Sequence, residues 1–369
     1  MKLVEFSVTN YRSITKASKI TLQNLTVLVG KNNEGKSNLL NALRIAMNAM
    51  VINSYSIGSQ PKFISKRTGY DWERDFPIQY QNRKSSLESI FKLHFRLEGD
   101  EWTEFHDLTK LRGNEDIPIT VKIGKNNVPH IEVPKKGSPS YNKQSKIITD
   151  FISQKINFNY IPAIRTEGMA IEALRDAMFG ELKLLSQNKE YVEARRKALD
   201  IENEILNKLG SQIQEPLRTF IPNLKKVEIQ RVEDEYQLRR NMRDIEVLVD
   251  DGQLTSIANK GDGIKSLMTL AILKERSSWS GASVIAIEEP ESHLHSGAIH
   301  SLIDVIGKIS ENSQVILTTH NPLFVQQNQM NSNILVDGGT ARAAKNIGEI
   351  RKILGVLPSD NLMSARFYY

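Results

Sequence analysis

The chain has 369 residues, enough for two or three structural units or for one large domain carrying insertions. Its hydrophobic fraction of 40% and charged fraction of 25% are ordinary for a globular protein, and no apolar run approaches the roughly 20 residues that a membrane span needs. The net charge of +6 permits contact with nucleic acid but does not argue for it. Cysteine is absent, which excludes disulfides and thiolate metal sites and fits a reducing cytoplasm.

The first part of the chain leads into a phosphate-binding loop. Residues 2–14 alternate apolar and polar side chains, as a half-buried strand does. Residues 25–29 read as a short buried strand, and residues 38–47 have apolar side chains at helical spacing with no breaker. Between these two elements, residues 30–37 (GKNNEGKS) match G-x-x-x-x-G-K-[ST], the P-loop. The flanking strand and helix make a chance glycine-rich turn a poor alternative.

The chemistry of this loop follows from its backbone and two side chains. Backbone N–H groups and the positive end of the helix hold phosphate oxygens. Lys36 would reach the β and γ phosphates and would act in catalysis, and the Ser37 hydroxyl would take one Mg²⁺ position. The predicted nucleotide-binding set is Gly30, Asn32, Asn33, Gly35, Lys36, Ser37 and Asn38.

Further strands are predicted before the middle of the chain. Alternation indicates a strand over residues 86–97, and residues 118–123 and 128–133 read as two strands joined by a turn. Residues 158–165 read as a strand that leaves the core.

The longest helical region follows this lobe. Apolar residues recur at three- and four-residue steps over residues 169–185 and 191–209, and a third short helix is predicted over 211–220. This region reads either as an arm inserted in the protein, used for dimerisation or for contacting DNA, or as a plain helical hairpin packed on it. The arm is favoured because the nucleotide-binding motifs resume only afterwards.

Two later strands end in residues suited to catalysis. Residues 283–287 read as a buried strand that runs into Glu288 and Glu289, the Walker B pattern. Glu288 would hold Mg²⁺, directly or through water, and Glu289 would orient or deprotonate the attacking water. Residues 314–319 form another buried strand, which ends at His320.

These motifs, in this order, resemble the RecF/SMC/OLD branch of ABC-type ATPases. The match is to the ATPase domain of the OLD (overcoming lysogenization defect) ATPase/Toprim nucleases, as in Gabija- or retron-associated antiphage defence. In this branch the strand before the P-loop ends in Asn-aromatic-Arg/Lys-Ser near the nucleotide base, which is NYRS at residues 10–13 here. By this resemblance Arg12 and Ser13 would contact the nucleotide, although NYRS also suits an exposed turn. Asp75 or Gln79 lies where the Q-loop, which helps to hold Mg²⁺, is expected.

The resemblance extends to the ABC signature, with a departure. Residues 260–267 (KGDGIKSL) resemble the signature loop and the helix after it, a second phosphate cradle that serves the nucleotide of the opposite subunit. Gly261 falls at the usual Ser position and Asp262 at the first Gly, so the hydroxyl that binds the γ-phosphate is missing. Such degenerate signatures are typical of the OLD branch. By this resemblance, the signature residues predicted to contact the nucleotide are Gly261, Gly263, Lys265 and Ser266.

Two histidine-containing segments complete the resemblance. His320 looks like the switch histidine, which contacts the γ-phosphate and would act in catalysis. Residues 291–295 match the E-x-H-L-H element of the OLD branch, equivalent to the D-loop. The spacing of His293 and His295 could suggest a metal pair, but a pair without a third nearby ligand is poor evidence for one.

The predicted fold is α/β: an ABC-type P-loop NTPase head with an N-terminal antiparallel β lobe and an inserted, coiled-coil-like helical dimerisation arm. The expected domains are residues 1–165 and 222–369 for the two parts of the ATPase and 166–221 for the arm. In OLD nucleases a stretch like residues 357–369 leads into a Toprim domain, so we expect the sequence to stop at that boundary. The alternative is a stand-alone ATPase whose nuclease is a separate protein.

The resemblance implies ATP and Mg²⁺ as cofactors and hydrolysis across a head-to-head homodimer or higher homo-oligomer. It also implies control of a Toprim or other nuclease, in cis or in trans, with DNA as a partner, in the cytoplasm and without a membrane. One rival is a RecF- or SMC-like repair ATPase that clamps DNA, although the absence of cysteine argues against a zinc-tipped arm. The other is a scaffold or sensor that binds ATP without hydrolysing it.

Overall fold

The computed structural model divides into two compact units, one formed by residues 1–165 and 273–369 and the other by residues 166–272. Among the described residues no helix is long and apolar enough to cross a membrane. The predicted domain boundaries stay predictions. The described residues are 1–55, 68–82, 87–111, 116–134, 140–163, 188–218, 248–250, 253–261, 282–292, 294 and 296–355.

The elements of the first unit lie on both sides of the second unit in the sequence. Before it come β1 (Lys2–Tyr11), β2 (Ile14–Thr21), β3 (Leu25–Val29), α1 (Lys36–Tyr55), α2 (Trp72–Asp75), β4 (Ser89–Arg96), α3 (Glu101–Thr109), β5 (Asp116–Ile123), β6 (Pro129–Glu132), α4 (Ser140–Lys143), α5 (Ser145–Lys155) and β7 (Ile156–Ile161). The described elements of the second unit are α6 (Lys189–Arg218), β8 (Leu248–Asp250) and β9 (Leu254–Ser256). The first unit resumes with β10 (Ala282–Glu288), α7 (Ser296–Asn312), β11 (Gln314–Thr319), β12 (Asn333–Asp337), β13 (Thr340–Ala343) and α8 (Ile347–Leu354).

The amino-terminal lobe is an antiparallel sheet, as predicted. Its five strands lie in the order β2-β1-β4-β5-β6. Every pair of neighbours is antiparallel. Alternate residues of β4, including Phe91 and Phe95, are completely buried, while Lys92 and Arg96 are exposed. This alternation is what a sheet with one face on the core and one face toward water requires.

The second sheet of this unit is mostly parallel and carries the P-loop and the strands that lead to Glu289 and His320. Its strands lie in the order β13-β12-β3-β11-β10-β7, and only β12 and β13 pair antiparallel. Strand β11 is buried along its whole length, and Val284 to Ile287 in β10 are buried as well. Continuous burial explains why these segments read as uninterrupted apolar runs. The α/β head and its antiparallel lobe are therefore confirmed.

Helix α1 joins the two sheets through one hydrophobic core. Its leucines and alanines are buried along most of its length, and Leu39, Leu43 and Met50 belong to the same core cluster as Phe91 of the lobe and Val284 of the parallel sheet. Because α1 starts at the end of the P-loop, this packing fixes the loop relative to both sheets.

The second unit differs in one respect from the helices predicted for this region. Helix α6 continues through residue 211 to Arg218, so the separate short helix predicted over 211–220 is wrong. Gly210 does not end the helix, since a single glycine costs only about 1 kcal/mol in a helix interior. The predicted helix over 169–185 and the signature residues from Asp262 onward lie outside the described residues.

Two neighbouring glycines in the turn between β12 and β13 allow the effect of packing to be separated from that of backbone strain. Gly338 and Gly339 have φ values of +52° and +72°, so alanine at either position costs about 1–2 kcal/mol of backbone strain. A Cβ at Gly339 would also lie 2.3 Å from the Ser13 carbonyl oxygen, whereas a Cβ at Gly338 has nothing within 4 Å. We expect Gly339→Ala to lower the free energy of unfolding by about 1–3 kcal/mol more than Gly338→Ala in urea denaturation. Equal losses would contradict this packing.

Candidate functional site

The P-loop, Glu288, Glu289 and His320 lie at one edge of the parallel sheet. Strands β3, β11 and β10 are neighbours, and their register pairs Val29 with Thr319 and Thr318 with Glu288. Parallel strands end at the same edge of a sheet, which is where α/β proteins place ligands. The P-loop, His320 and Glu289 follow directly after these three strands, so they lie at that edge.

The P-loop is closely packed and shaped by unusual backbone angles. Asn33 and Gly35 have φ values of +67° and +103°, and the Gly35 carbonyl accepts the Leu39 N–H at 2.9 Å as α1 begins. A Cβ at Gly30 would lie 2.4 Å from the Val336 carbonyl oxygen of β12, so only glycine fits there. Turns of this kind make anion-binding concavities from backbone N–H groups, and a helix N-terminus adds to the attraction.

Lys36 places a buried positive charge in this loop. Its side chain is almost fully buried, and its ammonium donates to the carbonyl oxygens of Gly30 and Lys31, both at 2.8 Å. Burial lowers the pKa of Lys36, and the nearby carboxylates of Glu289 and Glu291 partly offset this effect. The loop therefore holds a cation among its backbone groups, with carboxylates of the Walker B segment close enough to influence it.

The turn after β1, which carries Arg12 and Ser13, packs on the helix that follows the P-loop. The side-chain NH₂ group of Asn38 donates to the Ser13 hydroxyl at 2.9 Å. Arg12 donates to the side-chain oxygen of Asn38 at 3.2 Å. The Ser13 hydroxyl would lie 3.1 Å from a Cβ at Gly35. Tyr11 is completely buried and accepts a hydrogen bond from Asn41, so the aromatic ring of NYRS belongs to the core. Arg12, Ser13, Gly35 and Asn38 are thus neighbours.

The Asp75 carboxylate is committed to an ion-pair network. It is completely buried and accepts from Arg12 Nε at 2.8 Å, from Arg74 at 2.6 Å and from the Asp71 N–H at 2.9 Å. Burial alone would raise the pKa of Asp75, but the hydrogen bonds from Arg74, Asp71 and Arg12 hold it below its ordinary value of 3.8. These contacts leave no oxygen open to a metal ion, so we do not propose Asp75 as a ligand. Gln79 is exposed in a short 3₁₀ helix, Ile78–Tyr80.

Removing the charge of Asp75 should destabilise the protein in a pH-dependent way. Asp75→Asn leaves two arginines without their carboxylate, and we expect a loss of about 3–5 kcal/mol at neutral pH. Because the folded-state pKa is lowered, the carboxylate stabilises the fold above pH 3.8 and loses this effect as the pH falls through the lowered pKa. The gap between wild type and variant in urea denaturation should therefore close at acid pH. Asp107→Asn, at an exposed aspartate, is the control, and a gap that stays constant with pH would contradict the assignment.

Glu288 is oriented by strand β7, the neighbour of β10. Its Oε2 accepts the Ala163 N–H at 3.3 Å, and the Tyr160 phenol donates to the same carboxylate. Burial raises the pKa of Tyr160 above its usual range, and the charge of Glu288 raises it further. Arg44 lies over the Tyr160 ring, 5.0 Å from its centroid. Glu288 is therefore held in place by groups that the motifs did not identify.

The backbone of Glu289 is strained. Its φ of +40° is uncommon for a residue with a side chain, and such strain persists only where surrounding contacts hold it. The Glu289 N–H donates to both the carbonyl and the hydroxyl oxygen of Thr318, at 3.0 and 3.1 Å. These two hydrogen bonds tie the turn after β10 to the end of β11.

A buried carboxylate lies behind His320. Glu291 Oε1 accepts from the Thr319 hydroxyl and from the His320 N–H, the latter at 3.3 Å. The His320 Nδ1 lies 3.6 Å from the same oxygen, and half of the His320 side chain is exposed. The imidazole is thus supported on one side by protein and open to solvent on the other.

The sequence profile of the AAA ATPase domain family AAA_15 matches residues 1–325 of the chain. The chain belongs to this family. It is an ATPase domain.

Curated relatives of this ATPase domain agree with the resemblance found in its motifs. The chain is 22% identical to the Retron Ec83 probable ATPase of Escherichia coli, over 88% of its own length and 69% of the relative's. It is 24% identical to the Old nuclease of Escherichia phage P2, over 99% of its length and 64% of that protein's. The chain thus spans about two thirds of the length of these relatives.

A solved structure shares the fold of this ATPase domain. The Smc head bound to the C-winged helix domain of ScpA superposes with a TM-score of 0.52 at 13% identity, covering 96% of this chain and 100% of that chain. At this identity the likeness shows the fold alone.

The donor set at the sheet edge fits Mg²⁺ bound together with phosphate. Among the described residues no group of three or more His, Cys, Asp or Glu side chains could hold a metal ion by itself. Mg²⁺ usually needs only one or two carboxylates and takes its remaining ligands from phosphate and water. The Ser37 hydroxyl and the oriented Glu288 carboxylate are hard oxygen donors of the kind required.

The predicted signature residues are only partly described. Gly261 is exposed in the second unit. Gly263, Lys265 and Ser266 lie outside the described residues, as do His293 and His295.

Sequence reasoning did not assign a role to two side chains near the site, Tyr160 and Glu291. Tyr160 gave no motif signal, and its contact with Glu288 depends on β7 pairing beside β10, where Tyr160 aligns with Ala286. Glu291 was noted only as the first residue of the E-x-H-L-H element. The strand predicted over residues 158–165, which contains Tyr160, and a carboxylate two residues after the Walker B pair are the signals that could have identified them.

Proposed function

We propose that this domain binds ATP with Mg²⁺ at the edge formed by β3, β11 and β10 and hydrolyses it there. The observation that carries the proposal is the convergence of buried Lys36, strained Glu289 and half-exposed His320 at the ends of three adjacent parallel strands. Chance alone does not bring a phosphate-binding cation, two carboxylates and an imidazole to one edge of a sheet.

Each residue has a defined role in this proposal. Lys36 and the loop N–H groups bind the β and γ phosphates, while Ser37 and Glu288 hold Mg²⁺. Glu289 orients or deprotonates the attacking water, and His320 contacts the γ-phosphate. Phosphoryl transfer depends almost entirely on such positioning and electrostatic stabilisation. Bound Mg²⁺ neutralises charge that develops on the phosphate oxygens.

The site is completed, in this proposal, by a second copy of the chain. The signature segment with Gly261, Gly263, Lys265 and Ser266 serves the nucleotide held by the partner's P-loop. The half-exposed His320, open to solvent on one side, supports an arrangement in which another subunit covers the nucleotide. The nucleotide then acts as a switch for assembly as well as a substrate.

We propose further that assembly controls a DNA nuclease in antiphage defence. The names of the relatives, a retron ATPase and the Old nuclease, support this role. The nuclease would be a Toprim domain in the same protein or a separate partner. The motifs in these residues are those of nucleotide binding and hydrolysis, so the cleavage itself is assigned to that other domain.

Complementation between two inactive variants tests the composite site. Lys36→Met should disable the P-loop and Ser266→Arg the signature segment, so each variant alone should hydrolyse little ATP. In a mixed dimer one site combines the intact P-loop of one variant with the intact signature of the other, and turnover should return on mixing. If the wild type is active and the mixture stays inactive, the site is complete within one chain. If the wild type has no Mg²⁺-dependent turnover, the domain is a non-hydrolysing scaffold.

A further inference from the structure

We infer that Glu291 is a positioning residue for ATP hydrolysis that acts through His320. The inference rests on the proposed contact of His320 with the γ-phosphate. It adds to that proposal a residue outside the P-loop, the Walker B pair and the switch histidine.

The hydrogen bonds that the Glu291 side chain accepts come from Thr319 and His320. Its Oε1 receives the hydroxyl of Thr319 and the backbone N–H of His320, and lies 3.6 Å from the His320 Nδ1. One carboxylate oxygen therefore holds the residue before the histidine and the histidine backbone, and it lies close to the imidazole, half of which is exposed.

Thr319 extends this support to the other side of the histidine. Its hydroxyl donates to Glu291 and accepts the Asn321 N–H at 2.9 Å. The Asn321 side chain in turn accepts the Leu323 N–H at 3.0 Å and caps the short helix Pro322–Phe324. The backbone on both sides of His320 is thus connected to the same carboxylate, so the position of Glu291 determines the course of the turn.

The burial of Glu291 indicates that this carboxylate has a specific task. Its side chain is 5% exposed, and its Oε2 has no hydrogen-bond partner among the residues that the structure describes. A buried carboxylate with one unpaired oxygen contributes little to stability, because removing its charge from water costs free energy. Glu291 also connects the two catalytic segments, since it lies two residues after Glu289 and binds the end of β11.

A purely structural role and a positioning role predict different results. A structural defect would weaken the binding of every nucleotide and lower the melting temperature. A positioning defect would affect only interactions made with the γ-phosphate, namely turnover and the preference for a triphosphate over a diphosphate. The difference can be measured by comparing binding of ADP with that of a non-hydrolysable ATP analogue.

The experiment compares Glu291→Ala, Glu291→Gln, His320→Ala and the double variant with Ala at both positions. For Glu291→Ala we expect kcat and the affinity for the ATP analogue to fall about tenfold or more, with ADP affinity changed by less than about twofold. Glu291→Gln keeps an acceptor oxygen for Thr319 and His320 and should recover most of the activity. The double variant should be no worse than His320→Ala alone, because residues that act as a unit are not additive.

Two threonine substitutions, one at the site and one away from it, give an independent test if Glu291→Ala does not fold. Thr319→Val removes the hydroxyl that donates to Glu291 and, like Glu291→Ala, should lower kcat. Thr26→Val removes a buried hydroxyl that accepts the Gln23 N–H at the opposite end of β3, and should leave kcat unchanged. Equal effects of the two threonine variants would overturn the inference.

The remaining outcomes separate this inference from the proposed function. If His320→Ala lowers turnover but Glu291→Ala and Thr319→Val do not, Glu291 has no positioning role and the proposed function stands. Equal losses of ADP and analogue binding in Glu291→Ala would also overturn the inference. If His320→Ala itself changes nothing, the proposed role of His320 fails and the inference fails with it.

Discussion

Replacing Lys36 by methionine should lower the affinity for ATP about a hundredfold or more. Methionine keeps the apolar stem of the side chain but removes the ammonium, and each charge-assisted hydrogen bond to phosphate contributes about 1.5–3 kcal/mol. The ammonium is buried beside the Gly30 and Lys31 carbonyls, so no other described cation can take its place in the loop without rearrangement. Binding of a fluorescent ATP analogue measures the effect.

The control for this prediction lies in the same loop. Lys31 is exposed, and Lys31→Met removes an equal charge from the surface of the P-loop. We expect it to weaken binding by no more than a few-fold, because exposed charges act through solvent. If both variants bind ATP equally weakly, the affinity depends on the net charge of the loop and Lys36 has no special role. Melting temperatures of both variants establish that they fold.

Glu289→Gln should abolish turnover and leave ATP binding intact. The amide cannot accept a proton from the attacking water, and loss of a general base typically lowers the rate about 10²–10⁴-fold. The strained backbone at residue 289 and its hydrogen bonds to Thr318 do not depend on the carboxylate, so the turn should keep its geometry. Steady-state ATP hydrolysis and nucleotide binding, measured on the same preparation, separate the two effects.

A second carboxylate at the site provides the matched control for Glu289. Glu34 lies in the P-loop and accepts the Gly338 N–H at 2.8 Å, a hydrogen bond that a glutamine oxygen can also accept. Glu34→Gln should therefore change turnover by less than about threefold, since a neutral acceptor replaces a charged one. Unchanged turnover in Glu289→Gln would remove Glu289 from the mechanism. Equal losses in both variants would point to the charge of the site as a whole.

Much of the fold was accessible from sequence because its signals are local. Strand β11 is buried on both faces, so the segment is continuously apolar and was recognised as a buried strand. Strand β4 alternates because one of its faces meets the core, and its type was recognised for that reason. The separate helix predicted over 211–220 was wrong, because α6 runs without interruption from Lys189 to Arg218.

The candidate site was predicted only as far as its motifs extend. Lys36, Glu288, Glu289 and His320 each end or follow a recognisable strand, so their meeting at one sheet edge was an expected consequence of parallel pairing. Asp75 was selected by its position between α1 and a later strand. Position in the sequence could not indicate that Arg12, 63 residues earlier, would pair with its carboxylate.

By itself, then, the sequence determined the type of most of the elements that it predicted, the P-loop and the order of the motifs, because these depend on residues within about ten positions of one another. Helices α3 and α5 were not predicted from it. Only the tertiary structure decided which groups surround the side chains proposed to be catalytic. The Ala163 N–H that holds Glu288 is 125 residues away, and the Thr319 hydroxyl that reaches Glu291 is 28 residues away. Such contacts depend on strand order and register, which place β7 and β11 on either side of β10 and which no local pattern encodes.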